Sequence, residues 1–302
     1  MENIVKPRKF KYRALENRRA KRRKLKKMPV LSITDLDPSE IPHHFNLTHC
    51  LPTEFELSPS KTEMISLPPY LNSILVDYDT ATGGSPTNEA FIRSRINVMI
   101  LTTLAKMKSE FIAKPSTSVA CSASLKSVHL QFDRKMEFTW KRDSQRVRFF
   151  GIVDYSLWYG TPDEHATNLA IVEAERPDLL KSGMLRCLAY MAMIHETRKR
   201  AKIPDTSVYG IATDSFKWAF IRIRPNGEWT EKTYHWAHSA QEIVSMLAKI
   251  LAHAARFDPQ TGRKIWNQGS ECEFLASLKQ LNSKPSSKRE DQRTGLCHAH
   301  TI

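Results

Sequence analysis

Between residues 85 and 257 the apolar positions follow two periods. Ile92, Ile96, Met99, Ile100, Leu104, Met107 and Phe111 recur at three and four, which predicts a helix; Ser85 suits its cap and Pro86 its first turn. Glu89 falls one turn before Ile92, on or beside the same stripe. SVHLQF, KMEFTW and RVRFFGIVDYSLWYG then alternate in steps of two and predict three antiparallel strands, with Asp143-Ser144 as a turn between the second and third. After the polar loop TPDEHATN, the run LAIVEAE reads as a sheet strand that Pro177 stops. Met184, Leu188, Met191 and Ile194, with Ala201 at the end, mark a long amphipathic helix bounded by Pro204. SVYGIATD and KWAFIRIR give two more strands, PNGEW a turn, and TEKTYHW a further strand. Ser239 to Glu242 form a capping box that opens a helix carrying Ile243, Met246, Leu247, Ile250 and Leu251. Runs of strands bracketed by helices predict an α/β (α+β) fold, a central mixed sheet flanked by helices.

Outside this body the pattern fades. Residues 29–84 are rich in Pro and Ser, without a sustained period, and read as a partly ordered linker. Residues 258–302 read as a polar extension and tail. Residues 1–28 hold thirteen Lys and Arg against two acids, a net of +11 out of the chain's +14, so the remaining body is close to neutral. The densest part of this arm is Arg18, Arg19, Lys21, Arg22, Arg23, Lys24, Lys26 and Lys27. Such a run suits an import receptor or a phosphate backbone, and otherwise serves as a solubilising tail. No stretch is apolar for long enough to span a bilayer, and the basic N-terminus lacks the apolar run of a secretory signal. Five scattered cysteines without a CxxC pair speak against a disulfide framework or zinc site and for a reducing, intracellular compartment.

The informative acids are those embedded in apolar strands. Asp154 sits within GIVDYSLWYG, and Glu173 and Glu175 close LAIVEAE on one strand face. A buried carboxylate needs a partner. Three oxygen-donating acids at the ends of neighbouring strands suit Mg²⁺; equally, each could pair with a nearby cation such as Arg148, Arg176 or Arg186. The absence of GxxxxGK[ST], GxSxG and HExxH removes the usual nucleotide-hydrolase, serine-hydrolase and zincin readings. Trp140, Trp158, Trp218, Trp229 and Trp236 are positioned as core residues rather than as base-stacking platforms.

GIVDY, whose Asp154 lies nineteen residues before Glu173 in IVEAER, resembles the D…(D/E)xK core of the PD-(D/E)XK nuclease superfamily, the restriction-endonuclease-like fold, and in particular its uncharacterised fungal members. NEAFIRSRINVMIL resembles that family's first helix, CLAYMAMIHETRKR the helix after the catalytic strand, and VYGIATDSFKWAFIRI the strand pair that follows. The resemblance covers about residues 85–257. It implies a Mg²⁺- or Mn²⁺-dependent phosphodiesterase acting on DNA or RNA, and the basic arm, read as an import signal, adds the expectation of a nuclear location. Asp154 and Glu173 would hold the metal with the carbonyl of Ala174, and Glu89 would orient a metal-bound water. The family lysine falls at position 175, where this chain has Glu175, a change that implies impaired activity unless the carboxylate serves as a general base or extra ligand. Arg186 stands near the family's helical glutamine, placed to contact phosphate or to pair with Glu175. The rival expectation is a catalytically inactive nucleic-acid-binding or effector-type interaction protein on the same scaffold.

Overall fold

A computed structural model describes residues 28–51, 58–61, 63–84, 88–112, 128–142, 145–159 and 168–254. Eight strands among these form one mixed sheet: β1 (Val30–Ser32), β2 (Thr48–His49), β3 (Val128–Arg142), β4 (Gln145–Tyr159), β5 (Asn168–Ala174), β6 (Val208–Thr213), β7 (Lys217–Ile223) and β8 (Glu228–His235). They run in the order β1-β4-β5-β6-β7-β8-β2, with β3 paired to β4 in addition. The helices are the single turn α1 (Ile41–His44), then α2 (Leu71–Thr82), α3 (Glu89–Ile112), α4 (Leu180–Arg200) and α5 (Trp236–Ala254). The α/β class expected from the pattern is the class observed.

Two apolar layers hold the sheet. On one face α4 lays Cys187, Leu188, Met191 and Ile194, all fully buried, against Val208, Ile221 and Ile223. On the other face α3 and α5 bury Ile92, Ile96, Met99, Ile243, Met246 and Leu247 against Tyr209, Ile211, Trp218 and Phe220. Full burial of each such large side chain contributes about 1.5–3 kcal/mol. The helix stripes are therefore where their spacing placed them. Ala201 instead lies exposed past the end of α4. Trp140, Trp158, Trp218 and Trp229 are in the core, and Trp236 packs beside it.

Three expectations need correction. The described residues of the stretch 29–84 are part of the folded body: Ile33, Ile41, Phe45, Leu47, Ile65, Leu71 and Leu75 are buried. Their lack of a period reflects a run of very short elements that each bury one or two side chains. The segments SVHLQF, from Val128 on, and KMEFTW belong to a single fifteen-residue strand, β3. The ladder keeps its register from Phe132–Tyr155 to Arg134–Val153 across Asp133, which adopts φ 48°, a left-handed conformation that Asp tolerates better than most residues. Finally, α3 starts at Glu89, and Asn88 caps it by accepting the backbone N–H groups of Ala90 and Phe91. Ser85, Pro86 and the Asp143-Ser144 turn lie outside the described residues, as do the basic arm through Lys27 and the tail beyond residue 254.

The path of β4 shapes the site. β3 occupies one of its edges from end to end. On the other edge β1 runs parallel beside Arg148 to Phe150, and β5 runs antiparallel beside Tyr155 to Trp158. Among the described residues, 151–154 thus have no strand partner on that edge. The side-chain alternation also inverts here, since Val153 packs in the α4 layer while Tyr155, two residues on, packs in the α3–α5 layer.

Candidate active site

A cleft of about 310 Å³ opens at this unpaired stretch, lined by Thr34, Glu89, Ile152, Asp154, Ala174, Glu175, Arg176, Leu179, Arg186 and Tyr190. Each side comes from a different element. Thr34 follows β1, Ile152 and Asp154 belong to β4, Ala174 ends β5 and Glu175 follows it. Glu89 opens α3, and Arg186 and Tyr190 come from α4, one turn apart. The Tyr190 hydroxyl donates to the carbonyl of Ile152 at 3.2 Å, supplying a partner that no strand provides.

Asp154 and Glu175 are both compensated by arginine. Asp154 Oδ2 accepts the Ala174 N–H at 2.8 Å, and its Oδ1 lies 3.0 Å from Arg93 Nη1. Arg93, from α3, also donates to Asp133 at 2.7 Å, so one guanidinium bridges the two acids at the point where β3 and β4 invert. Glu175 is 5% exposed and pairs with Arg186. Gly183 makes that pair possible, because a Cβ there would overlap the Glu175 side chain. Gly183 and Arg186 are three residues apart on one face of α4, the first leaving space and the second filling it with charge. The other candidate partners are engaged elsewhere: Arg148 with Glu137 at 3.7 Å and Arg176 with Asp178 at 3.2 Å.

Burial still outweighs this compensation. It raises the Asp154 carboxyl above the ordinary range, against the downward pull of the Ala174 N–H and Arg93, and the charges of Asp133 and Glu89 add to the rise. Glu175 is also raised, by burial first, against Arg186, with Asp154 and Glu89 pushing the same way as burial. The Tyr155 hydroxyl, which donates to the Arg93 carbonyl at 3.1 Å, is pushed up to about 12 by burial. Acids in such a state can hold a proton closer to neutrality than free carboxylates, and they favour an added cation.

Of the sequence-derived site residues, Glu89, Asp154, Ala174, Glu175 and Arg186 therefore share one cleft. Glu173 is placed by its backbone beside Ala212 of β6, and its side chain lies outside the described residues. Among the described residues no three His, Cys, Asp or Glu side chains are grouped closely enough to hold a metal ion together. The donor set is nevertheless all oxygen, and its carboxyls are raised chiefly by burial, so their charged forms would gain from an added cation, which fits a hard divalent ion in kind. Arg93, Thr34, Gly183 and Tyr190 were not singled out from the sequence. Arg93 carried a faint signal, four residues after Glu89 on the same helix; Thr34 carried none, because its surroundings lack any period. In comparisons with known proteins, no family model and no curated sequence matches the chain. No helix among the described residues is long and apolar enough to cross a membrane.

Proposed function

We propose that this chain is a Mg²⁺-dependent, nuclease-like protein that hydrolyses phosphodiester bonds in nucleic acid on a PD-(D/E)XK scaffold, with activity weakened by Glu175 in the lysine position. The observation that carries this reading is the convergence of Glu89, Asp154, Ala174, Glu175 and Arg186 on one cleft from four separate elements. Asp154 and Glu173, with the Ala174 carbonyl, are the residues to hold the ion, which would lower the pKa of a bound water and neutralise charge on the phosphate. Glu175, its carboxyl already raised, is placed to accept a proton at a carboxylate oxygen. Arg186 orients that carboxylate and can turn remaining N–H groups toward a phosphate oxygen. A cation at Asp154 competes with Arg93 for Oδ1.

That competition supports a second reading, a catalytically inactive nucleic-acid-binding protein in which Arg93 and Arg186 permanently neutralise the two acids. Thermal melts with and without Mn²⁺, together with incubation of labelled single- and double-stranded DNA and RNA, separate the two. An active site gives a metal-induced rise in melting temperature that Asp154→Asn and Glu173→Gln each remove. It also gives slow metal-dependent cleavage that Glu175→Gln reduces by about 10²–10⁴-fold. Absence of both the shift and the cleavage in the wild-type chain selects the second reading.

A further inference from the structure

Away from the cleft, β3 and β4 continue as a long pair with one face in the core and the other open. Met136, Phe138 and Phe149 are buried on the core side. Residues paired across the strands share a face, so Lys135 stands with Ile152, Glu137 with Phe150 and Thr139 with Arg148 on the open side. Phe150 is 42% exposed and Ile152 54% exposed, and Lys135 and Arg146 are exposed beside them. Arg146, Arg148, Phe150 and Ile152 are alternate residues, so β4 carries two cations, an aromatic ring and an aliphatic side chain in a row of about 20 Å. The row ends at the cleft, which Ile152 itself lines.

We propose that this open face docks a single strand of nucleic acid and feeds it into the acidic cleft; the destination, though not the docking, rests on the function proposed above. Charge and shape choose the occupant. Lys135, Arg146 and Arg148 outnumber Glu137, the one acid among these paired positions, and suit a polyanion. An exposed phenylalanine on a sheet surface offers a flat ring to an unstacked base, which a duplex keeps in its interior. The described chain also enters the fold here: the Pro29 carbonyl accepts the Arg148 N–H at 2.9 Å, and the sequence up to position 28 carries a net +11.

Fluorescence anisotropy of the full chain with labelled oligo-dT, oligo-U and a duplex of equal length, in EDTA over a range of salt, tests the proposal. The wild type is expected to bind the single strands more tightly than the duplex. Phe150→Ala should weaken single-strand binding about tenfold without changing its salt dependence, whereas Arg146→Ala combined with Lys135→Ala should weaken it and flatten the salt dependence. These side chains are exposed, so unchanged melts should accompany the losses. Wild-type affinity in both variants, or equal affinity for duplex and single strand, overturns the docking surface. Binding lost in these variants while the wild type cleaves nothing with Mn²⁺ leaves the surface standing and removes the catalytic reading.

Discussion

Glu175 concentrates the chemistry of the molecule at one residue. It is buried beside the glycine that admits it, neutralised by Arg186, and still disfavoured in its charged form. A carboxyl whose folded pKa is raised contributes stability that is present below its unfolded pKa, about 4, and lost as pH rises through the folded value. Removing the titrating group removes that loss. The difference in unfolding free energy between Glu175→Gln and wild type should therefore move in the variant's favour as pH rises from about 4 to 7. Denaturant titrations at several pH values measure it, and a constant difference would mean that the carboxylate is fully compensated. The acids themselves were readable in the sequence, since Asp154 and Glu175 interrupt or end apolar strands where a charge is costly. Their partners were read only in part. Arg186 lies eleven residues from Glu175, across a strand-to-helix turn with a predictable outcome, whereas Arg93 reaches Asp154 from a helix on another layer.

At the scale of elements, the β3–β4 pair is the device that makes the cleft. Its inversion between the Phe132–Tyr155 and Arg134–Val153 pairs turns Asp154 out of the regular alternation and toward the Ala174 N–H. Asp133, with φ 48° and its tie to Arg93, stands at the inversion. Asp133→Gly keeps the backbone conformation and loses only the exposed tie to Arg93, so it should cost little in stability. Asp133→Val meets a left-handed conformation that a β-branched residue adopts poorly and should cost about 1–2 kcal/mol more. Chemical denaturation of both variants checks the order; equal cost would place the burden on the lost ion pair instead of on the backbone. The helix stripes were legible because each depends on a single local period. The inversion was not, because two residues of like parity enter different layers only once the sheet has coiled, and no spacing in RKMEF or GIVDY encodes that.

For the whole molecule, the segment from Met28 to Gly84 changes what counts as the domain. β1 joins β4 at one part of the sheet and β2 joins β8 at the far end, while the 33–47 stretch between them packs Ile33, Ile41, Phe45 and Leu47 into the α4 layer. A chain beginning at residue 85 should therefore lack cooperative unfolding, which a calorimetric melt against the full chain will show. A sharp transition in the shorter chain would make the strap an accessory. The sequence hid this because a strap with one buried residue per turn has neither a helical nor a strand period, and Pro-rich composition is shared with true linkers.

The strap also fixes an order in time. Its first strand needs residues 148–150 and its second needs residues 228–229, and His49 meets Glu231 across 182 residues of chain. Closing contacts so distant costs more chain entropy than forming the local pairs of β3 with β4 or β6 with β7, so those hairpins form first. During synthesis, β1 can settle once β4 has emerged, whereas β2, close behind it in the chain, must wait for β8, the last described strand. Until β1 pairs with β4, Ile152 and Asp154 lack the wall that the strap builds around Thr34, so one end of the strap belongs to the cleft and the other to the far edge of the sheet.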